Sequence, residues 1–435
     1  MGQILTWFRK GFWTVLDQAL YAGSNFVLNV LLIDALTENA YGAFAVAFSV
    51  FLFFGTIHTG IITEPMLVFG AGRFRSRFWS YVGILRKAHI LFAVFSGIAL
   101  ALISFVVGRL GSPLVAEALL VLAVAQPFIL FLWLMRRACY VLLRPQTSAF
   151  GGIIYMVLVL AAAYALQRTG SLTVTSALLV MSGTSLIGGL WILWRLRSNQ
   201  STGEDLTPAE AISEHRRYSG WATATGVLGW LPGNIPYIVL PLMVGTSAPG
   251  ILKAIFNFMM PAAHAYAALS ILLVPMFVRA RESGRFRSFV FATAGLLIVA
   301  NGLYWILLGV FGENLIQLLY KGKYVEYAGY LWFAGAYPFV SGLAVVVRTA
   351  LRSLEKPNYV FWASVSSSIT AATIGLLLIY YMGVVGAIIG FSLNMGVELA
   401  FMAYFFSVSS KSKDLQFVDD EEVGVAKTPS VVSTQ

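Results

Sequence analysis

Residues 88–108 read AHILFAVFSGIALALISFVVG. With histidine neutral the run carries no charge, and it matches the roughly 20 apolar residues that a helix needs to cross a hydrocarbon core. Residues 114–134, LVAEALLVLAVAQPFILFLWL, repeat the pattern with Arg136 and Arg137 just beyond. Working outward, comparable runs lie near 12–33, 42–68, 148–166, 172–194, 220–243, 249–278, 288–310, 328–350, 358–381 and 384–406. The expectation is an all-α polytopic membrane protein with about twelve spans. Composition agrees. Of 435 residues, 59% are hydrophobic and only 11% charged, against about 45–50% and 25% in a soluble domain. That excludes disorder, a coiled coil, collagen and a small disulfide scaffold. The single cysteine, Cys139, reads as a buried thiol near the basic face.

The charges fix an orientation. Arg109, Arg168, Lys321 and Lys323 fall in one set of alternate loops, and Lys253 falls inside a span. The other 24 of the 29 lysines and arginines fall on the opposite side. By the positive-inside rule that side is cytoplasmic and holds both termini. The net charge of +10 is therefore a topology signal that also suits anionic lipid headgroups, and it calls for no nucleic-acid partner. Residues 1–10 read as an interfacial amphipathic helix leading into the first span. Residues 195–219 read as a cytoplasmic linker, in which Thr207-Pro208-Ala209-Glu210 is a capping box that starts a short helix ending near Tyr218. Residues 407–435, with the acidic run Asp419 to Glu422, read as a disordered cytoplasmic tail.

The chain also repeats itself at an offset of about 210 residues. Ser24-Asn25-Phe26-Val27-Leu28-Asn29 matches Gly233-Asn234-Ile235-Pro236-Tyr237-Ile238. Glu64-Pro65-Met66-Leu67-Val68 matches Val274-Pro275-Met276-Phe277-Val278, and each is followed by Gly-Arg-Phe-Arg. Arg137 to Pro145 matches Arg348 to Pro357. Six spans separate the copies, so residues 1–194 and 220–406 should form two parallel six-helix lobes about an axis along the membrane normal. A cavity then lies between them, as in transporters.

Gly23-Ser24-Asn25-Phe26 through Leu31-Leu32, with Tyr41-Gly42-Ala43-Phe44-Ala45, resembles the N-terminal signature of Wzx-type flippases. Arg136-Arg137-Ala138-Cys139-Tyr140 leading to Arg144-Pro145 resembles it too. In the second half the likeness is carried by Tyr320-Lys321-Gly322-Lys323-Tyr324, Arg348 and Glu355-Lys356-Pro357. The resemblance covers about residues 10–406. It places the chain in the multidrug/oligosaccharidyl-lipid/polysaccharide exporter superfamily, beside drug/cation antiporters and the peptidoglycan-precursor flippase. It implies a bacterial or archaeal inner-membrane protein that moves a polyprenyl-diphosphate-linked oligosaccharide to the outer leaflet by alternating access. Its partners would be that cargo, membrane lipids, and the glycosyltransferases and polymerase of polysaccharide synthesis.

Polar groups inside spans are costly and mark candidate sites. Asp17, Gln18, Tyr21, Asn25 and Asn29 share a face of about 120° on the first span. Lys253, Asn257 and His264 share one of about 40° on the eighth. His58 sits mid-way along the second span, and Asn234 is the repeat partner of Asn25. These are the expected cargo-binding or coupling residues, with helix-to-helix hydrogen bonding the plainer role for each. Glu64, Arg136, Arg137 and Arg348 are expected at a cytoplasmic gate where a headgroup first arrives. Pro232, Gly233, Pro236 and Pro241 should break or bend the seventh span into a hinge. Gly386 and Gly390 form a close-packing pair. There is no Walker A sequence and no metal-ligand cluster, so neither a cofactor nor a metal is expected. The alternatives are a small-molecule drug/cation antiporter and a membrane glycosyltransferase or polymerase.

Overall fold

The computed structural model describes residues 2–197, 206–354 and 356–409. The expected tail from residue 410, residues 198–205 of the linker and Glu355 fall outside them. Among the described residues there are helices and no strands. The first half comprises α1 (Gly2–Ala35), α2 (Glu38–His58), α3 (Glu64–Ala71), α4 (Phe78–Arg109), α5 (Pro113–Val141), α6 (Pro145–Arg168) and α7 (Val174–Arg197). Then come α8 (Pro208–Met243), α9 (Ala248–Asn257), α10 (Met260–Glu282), α11 (Phe286–Val310) and α12 (Gly312–Tyr320). The chain ends in α13 (Tyr330–Ala334), α14 (Ala336–Ser353), α15 (Pro357–Thr370) and α16 (Leu376–Ser409).

Among the described residues, ten helical stretches are long and apolar enough to cross a membrane. One of them, Asn358–Val408, has 51 residues, about 76 Å of helix, too long for one crossing. It folds back at Gly383, whose φ of 57° and ψ of −129° are not helical. A Cβ at Gly386 would collide with the Leu378 carbonyl, so the hairpin closes only on glycine. The pair α9 and α10, joined at Phe258-Met259, occupies the expected eighth span.

Local chemistry explains where helices start. Pro113, Pro145, Pro208 and Pro357 each stand in a first turn, where a missing N–H costs nothing. Thr207 caps α8 by accepting from the Glu210 backbone N–H at 3.3 Å. The short linker helix expected to stop near Tyr218 does not stop. It runs without interruption into the seventh span as α8. The break expected around Pro232, Gly233, Pro236 and Pro241 is likewise absent, and the three prolines lie inside a continuous helix. One reason is visible. Pro232 cannot donate to the Leu228 carbonyl four residues back, and Ser368 Oγ of α15 donates to that carbonyl instead, at 2.7 Å.

α1 to α7 pack into one lobe and α9 to α16 into the other, while α8 packs on both. One apolar core is continuous from Leu28, Tyr41 and Phe44 to Leu252, Ile255, Tyr320 and Phe391. A separate core around Leu273, Phe277, Ala350 and Met402 serves the second lobe alone. The lobes are thus fused at the end opposite the arginines. Toward the basic end they part, with α8 standing between them.

Candidate functional site

Two cavities flank α8. One of about 700 Å³ lies between α8 and the first lobe, lined by Thr56, Thr59, Glu64, Trp133, Trp230 and Asn234. The other, about 600 Å³, lies between α8 and the second lobe, lined by Tyr337, Arg348, Arg352, Ser364, Asn394 and Glu398. Trp221, Thr225 and Gly229 of α8 line both, so α8 partitions one interlobe space. A side pocket of about 190 Å³ in the first lobe holds Gln18, Tyr21, Arg136, Arg137 and Tyr140. Another of about 270 Å³ lies behind Arg348 and Arg352.

Among the described residues, an ion pair stands within the spans of each lobe. In the first, Asp17 Oδ2 accepts from Arg136 Nη2 at 2.9 Å, Tyr140 O–H at 2.5 Å and Ser148 Oγ at 3.1 Å. The Arg136 guanidinium also lies 4.5 Å from the centre of the Tyr21 ring. Asp17 is fully buried, and its Oδ1 has no hydrogen-bond partner. In the second lobe Arg348 Nη2 meets Glu398 Oε1 at 2.6 Å, with Ser364 Oγ at 3.4 Å from the same oxygen. The Arg348 side chain remains 27% exposed and borders both second-lobe cavities.

The first-lobe wall is irregular at Thr59–Thr63, a π-helical turn between α2 and α3. Pro65 explains the carbonyl left free there, since it cannot donate to Ile61 four residues back. His215 Nδ1 lies 3.2 Å from that carbonyl and Ser219 Oγ donates to it at 3.4 Å, both from α8. Opposite, Tyr81 O–H lies 2.5 Å from His215 Nε2. A neutral imidazole protonated on Nδ1 satisfies both contacts. His215 precedes the membrane-spanning part of α8, and burial lowers its pKa. Arg77 adds a two-pronged pair to Glu210 at 2.6 and 3.0 Å. A Cβ at Gly60 would overlap the Thr223 backbone, so glycine is what allows α8 to lie this close.

The far end is sealed between lobes. Tyr41 O–H donates to Asn29 Oδ1 at 3.0 Å, and Asn257 Nδ2 donates to the Tyr41 hydroxyl at 3.3 Å. The Lys253 ammonium lies 4.3 Å from the Phe48 ring centre, a cation–π contact. Lys321 pairs with Asp34 at 2.6 Å, and Lys323 donates to the Ile33 carbonyl at 2.7 Å and also to the Leu36 carbonyl, capping the end of α1.

The expected site residues therefore separate into groups. Glu64, Asn234, Arg136, Arg137 and Arg348 line cavities, as do Pro232 and Gly233. Asn29, Lys253 and Asn257 belong to the seal. Asn25 donates to the Tyr21 carbonyl within α1. Asp17, expected on the cavity face, is turned into the lobe, where Arg136, Tyr140 and Ser148 all donate to its Oδ2. His58, expected on the same wall, is buried beside His89, with Nε2 to Nδ1 at 3.0 Å. Next to it, Thr56 of α2 and Thr59 of the π turn line the cavity instead. His264 is exposed on α10, and Pro236 is buried in α8. Sequence reasoning missed Trp221, Arg352 and the π turn. Pro65 is the available signal for the last, and Arg352, one turn beyond Arg348, shows in the sequence only as a topology charge.

No protein-family model and no curated protein matches the sequence. Solved structures do. An inward-facing multidrug resistance MATE family transporter of the MOP superfamily superposes with a TM-score of 0.77 at 12% identity, over 91% of this chain and 96% of that one. This chain has the MATE fold, with its helices in two lobes. The outward-facing form of a MATE family transporter gives a TM-score of 0.62 at 11% identity, over 94% and 96%. A MOP superfamily transporter from Pyrococcus furiosus, described by a reverse polarity of its binding pocket, gives 0.62 at 10%, also over 94% and 96%. The better fit to the inward-facing form agrees with a MATE-fold molecule sealed at its far end and hollow toward its basic end.

Proposed function

We propose that this protein is a secondary transporter of the inner membrane that flips a polyprenyl-diphosphate-linked oligosaccharide from the cytoplasmic to the outer leaflet by alternating access. The observation that carries this reading is the charge of the cavity walls. Arg137, Arg348 and Arg352 line them, against Glu64 and Glu398, while Arg136 beside the small side pocket is closed on Asp17. Guanidinium groups match phosphate oxygens in fork geometry, and a low-dielectric cleft strengthens the attraction. Threonine, serine and asparagine side chains supply hydrogen bonds for sugar hydroxyls, while the polyprenyl chain stays in lipid. Glycosyltransferases would supply this cargo and a polymerase would consume it. The sequence leaves a proton gradient, another ion gradient and trapping by polymerisation as driving forces.

A drug/cation antiporter is the second reading, favoured by Glu64 in a cavity lined by indoles, where an organic cation would find a carboxylate and aromatic faces. Deleting the gene and assaying lipid-linked sugars leaflet by leaflet separates the readings. Build-up on the cytoplasmic leaflet is expected. Drug sensitivity with normal glycans would sink the flippase in favour of the antiporter. A normal leaflet distribution with lost chain elongation would favour a polymerase.

A further inference from the structure

Trp221 occupies an unusual position for an indole. It is 67% exposed, yet it lines both large cavities, at the partition made by α8. Its ring stacks on Phe361 of α15, with centroids 5.2 Å apart and planes inclined by 29°. That contact fixes the indole while leaving most of its surface open. The two other tryptophans of the same cavity are built into the walls. Trp133 donates its N–H to the Tyr21 hydroxyl at 2.8 Å, and Trp230 donates to the Ser49 carbonyl at 3.3 Å. Trp230 is also buried. Trp221 is thus the indole presented to a ligand.

The groups around it differ on its two sides. Toward the second lobe stand Arg348 and Arg352. Toward the first lobe stand Thr56, Thr59, Glu64 and Asn234, with no arginine among the lining residues of that cavity. A pyranose ring has an apolar C–H face and a rim of hydroxyls. It is recognised by an aromatic face with hydrogen-bonding side chains around it, and it needs no charge. A diphosphate needs the reverse.

We propose that Trp221 is a sugar-stacking platform: the cavity between α8 and the first lobe receives the sugar units nearest the carrier, while the diphosphate is held across α8 at Arg348 and Arg352. This rests on the flippase reading and adds a division of labour to it.

The test uses the full-length protein in lipid nanodiscs and two probes, a polyprenyl diphosphate bearing an oligosaccharide and the same lipid without sugar. Trp221→Ala should weaken binding of the sugar-bearing probe about tenfold, equivalent to ~1.4 kcal/mol. It should leave the sugarless probe unchanged, which also reports that the variant is folded. Trp221→Phe keeps an aromatic face and should recover most of the loss. Equal weakening of both probes, or no change in either, would overturn the platform and leave the flippase reading standing. A wild-type protein that binds neither probe would overturn both.

Discussion

The two intramembrane ion pairs invite comparison, because their arginines end repeat-related spans and yet are used differently. Arg136 closes on an Asp17 supplied by α1, and both side chains are almost wholly enclosed, at 9% and 0% exposure. Arg348 closes on a Glu398 supplied by α16 and keeps 27% of its surface in the cavities. Tyr140, Ser148 and the Tyr21 ring add further contacts to the first pair. The second has Ser364 and, at the cavity wall, room for a ligand. The lesson is that each lobe has an ion-paired arginine at its basic end, while the source of the carboxylate and the degree of enclosure decide what that cation does. The enclosed pair holds a lobe together. The open pair is available to an anion.

The largest expected effect breaks the enclosed pair. Asp17→Asn strands a buried guanidinium and should cost about 3–5 kcal/mol of stability, seen as lower yield and earlier thermal unfolding in detergent. Adding Arg136→Gln removes the stranded charge and should recover most of that loss, with transport largely retained. Failure of the double variant to recover stability would mean that the pair itself, beyond charge compensation, builds the lobe. The same double neutralisation in the other lobe, Arg348→Gln with Glu398→Gln, should leave stability within about 1 kcal/mol of wild type. Transport in proteoliposomes should nevertheless fall at least tenfold. Transport at wild-type level there would erase the distinction between the two pairs.

A smaller effect is expected at the partition. Pro232→Ala with Pro236→Ala restores backbone donors to α8, and the N–H regained at the first of these positions would compete with Ser368 for the Leu228 carbonyl. Membrane insertion should be normal and transport reduced several-fold by a stiffer, less firmly docked helix. Unchanged transport would remove α8 as a moving part.

Spans, the doubling of the fold and the basic face were legible because each is written in single residues or short periods: apolar runs, alternating loop charges, Gly-Arg-Phe-Arg twice. The site was legible only in part. Arg348 and Glu64 could be picked out as charges in apolar surroundings, and both line cavities. Asp17 and His58 carry the same signal and are turned inward, because a helix face says nothing about which neighbour will satisfy a polar group. Tyr140 and His89, from distant parts of the chain, decide those two cases. The break expected at the α8 prolines is absent for a related reason. Proline removes a hydrogen bond locally, but whether the helix breaks depends on a remote donor, here Ser368 for Leu228 and His215 for Ile61.

The smallest predicted effect concerns that last contact, which ties the partition to the first lobe outside the membrane. In the docked state His215 is neutral, with Tyr81 on one ring nitrogen, the Ile61 carbonyl on the other, and Arg73 and Arg77 on the facing surface paired with Glu214 and Glu210. Burial holds its pKa below the ordinary 6.5. Undocking exposes the imidazole and lets it take up a proton more readily. Docking stability is therefore full above pH 6.5 and declines as pH falls from there toward the lowered docked-state value, below which it levels off. Protease cleavage between α7 and α8 should accelerate on acidification from about pH 7.5 to about pH 5.5. His215→Gln, which keeps one donor and one acceptor without titrating, should flatten that dependence while the two intramembrane pairs remain unaffected. An identical pH profile in the variant would shift the acid response to another group and leave α8 docking to the Arg77–Glu210 pair.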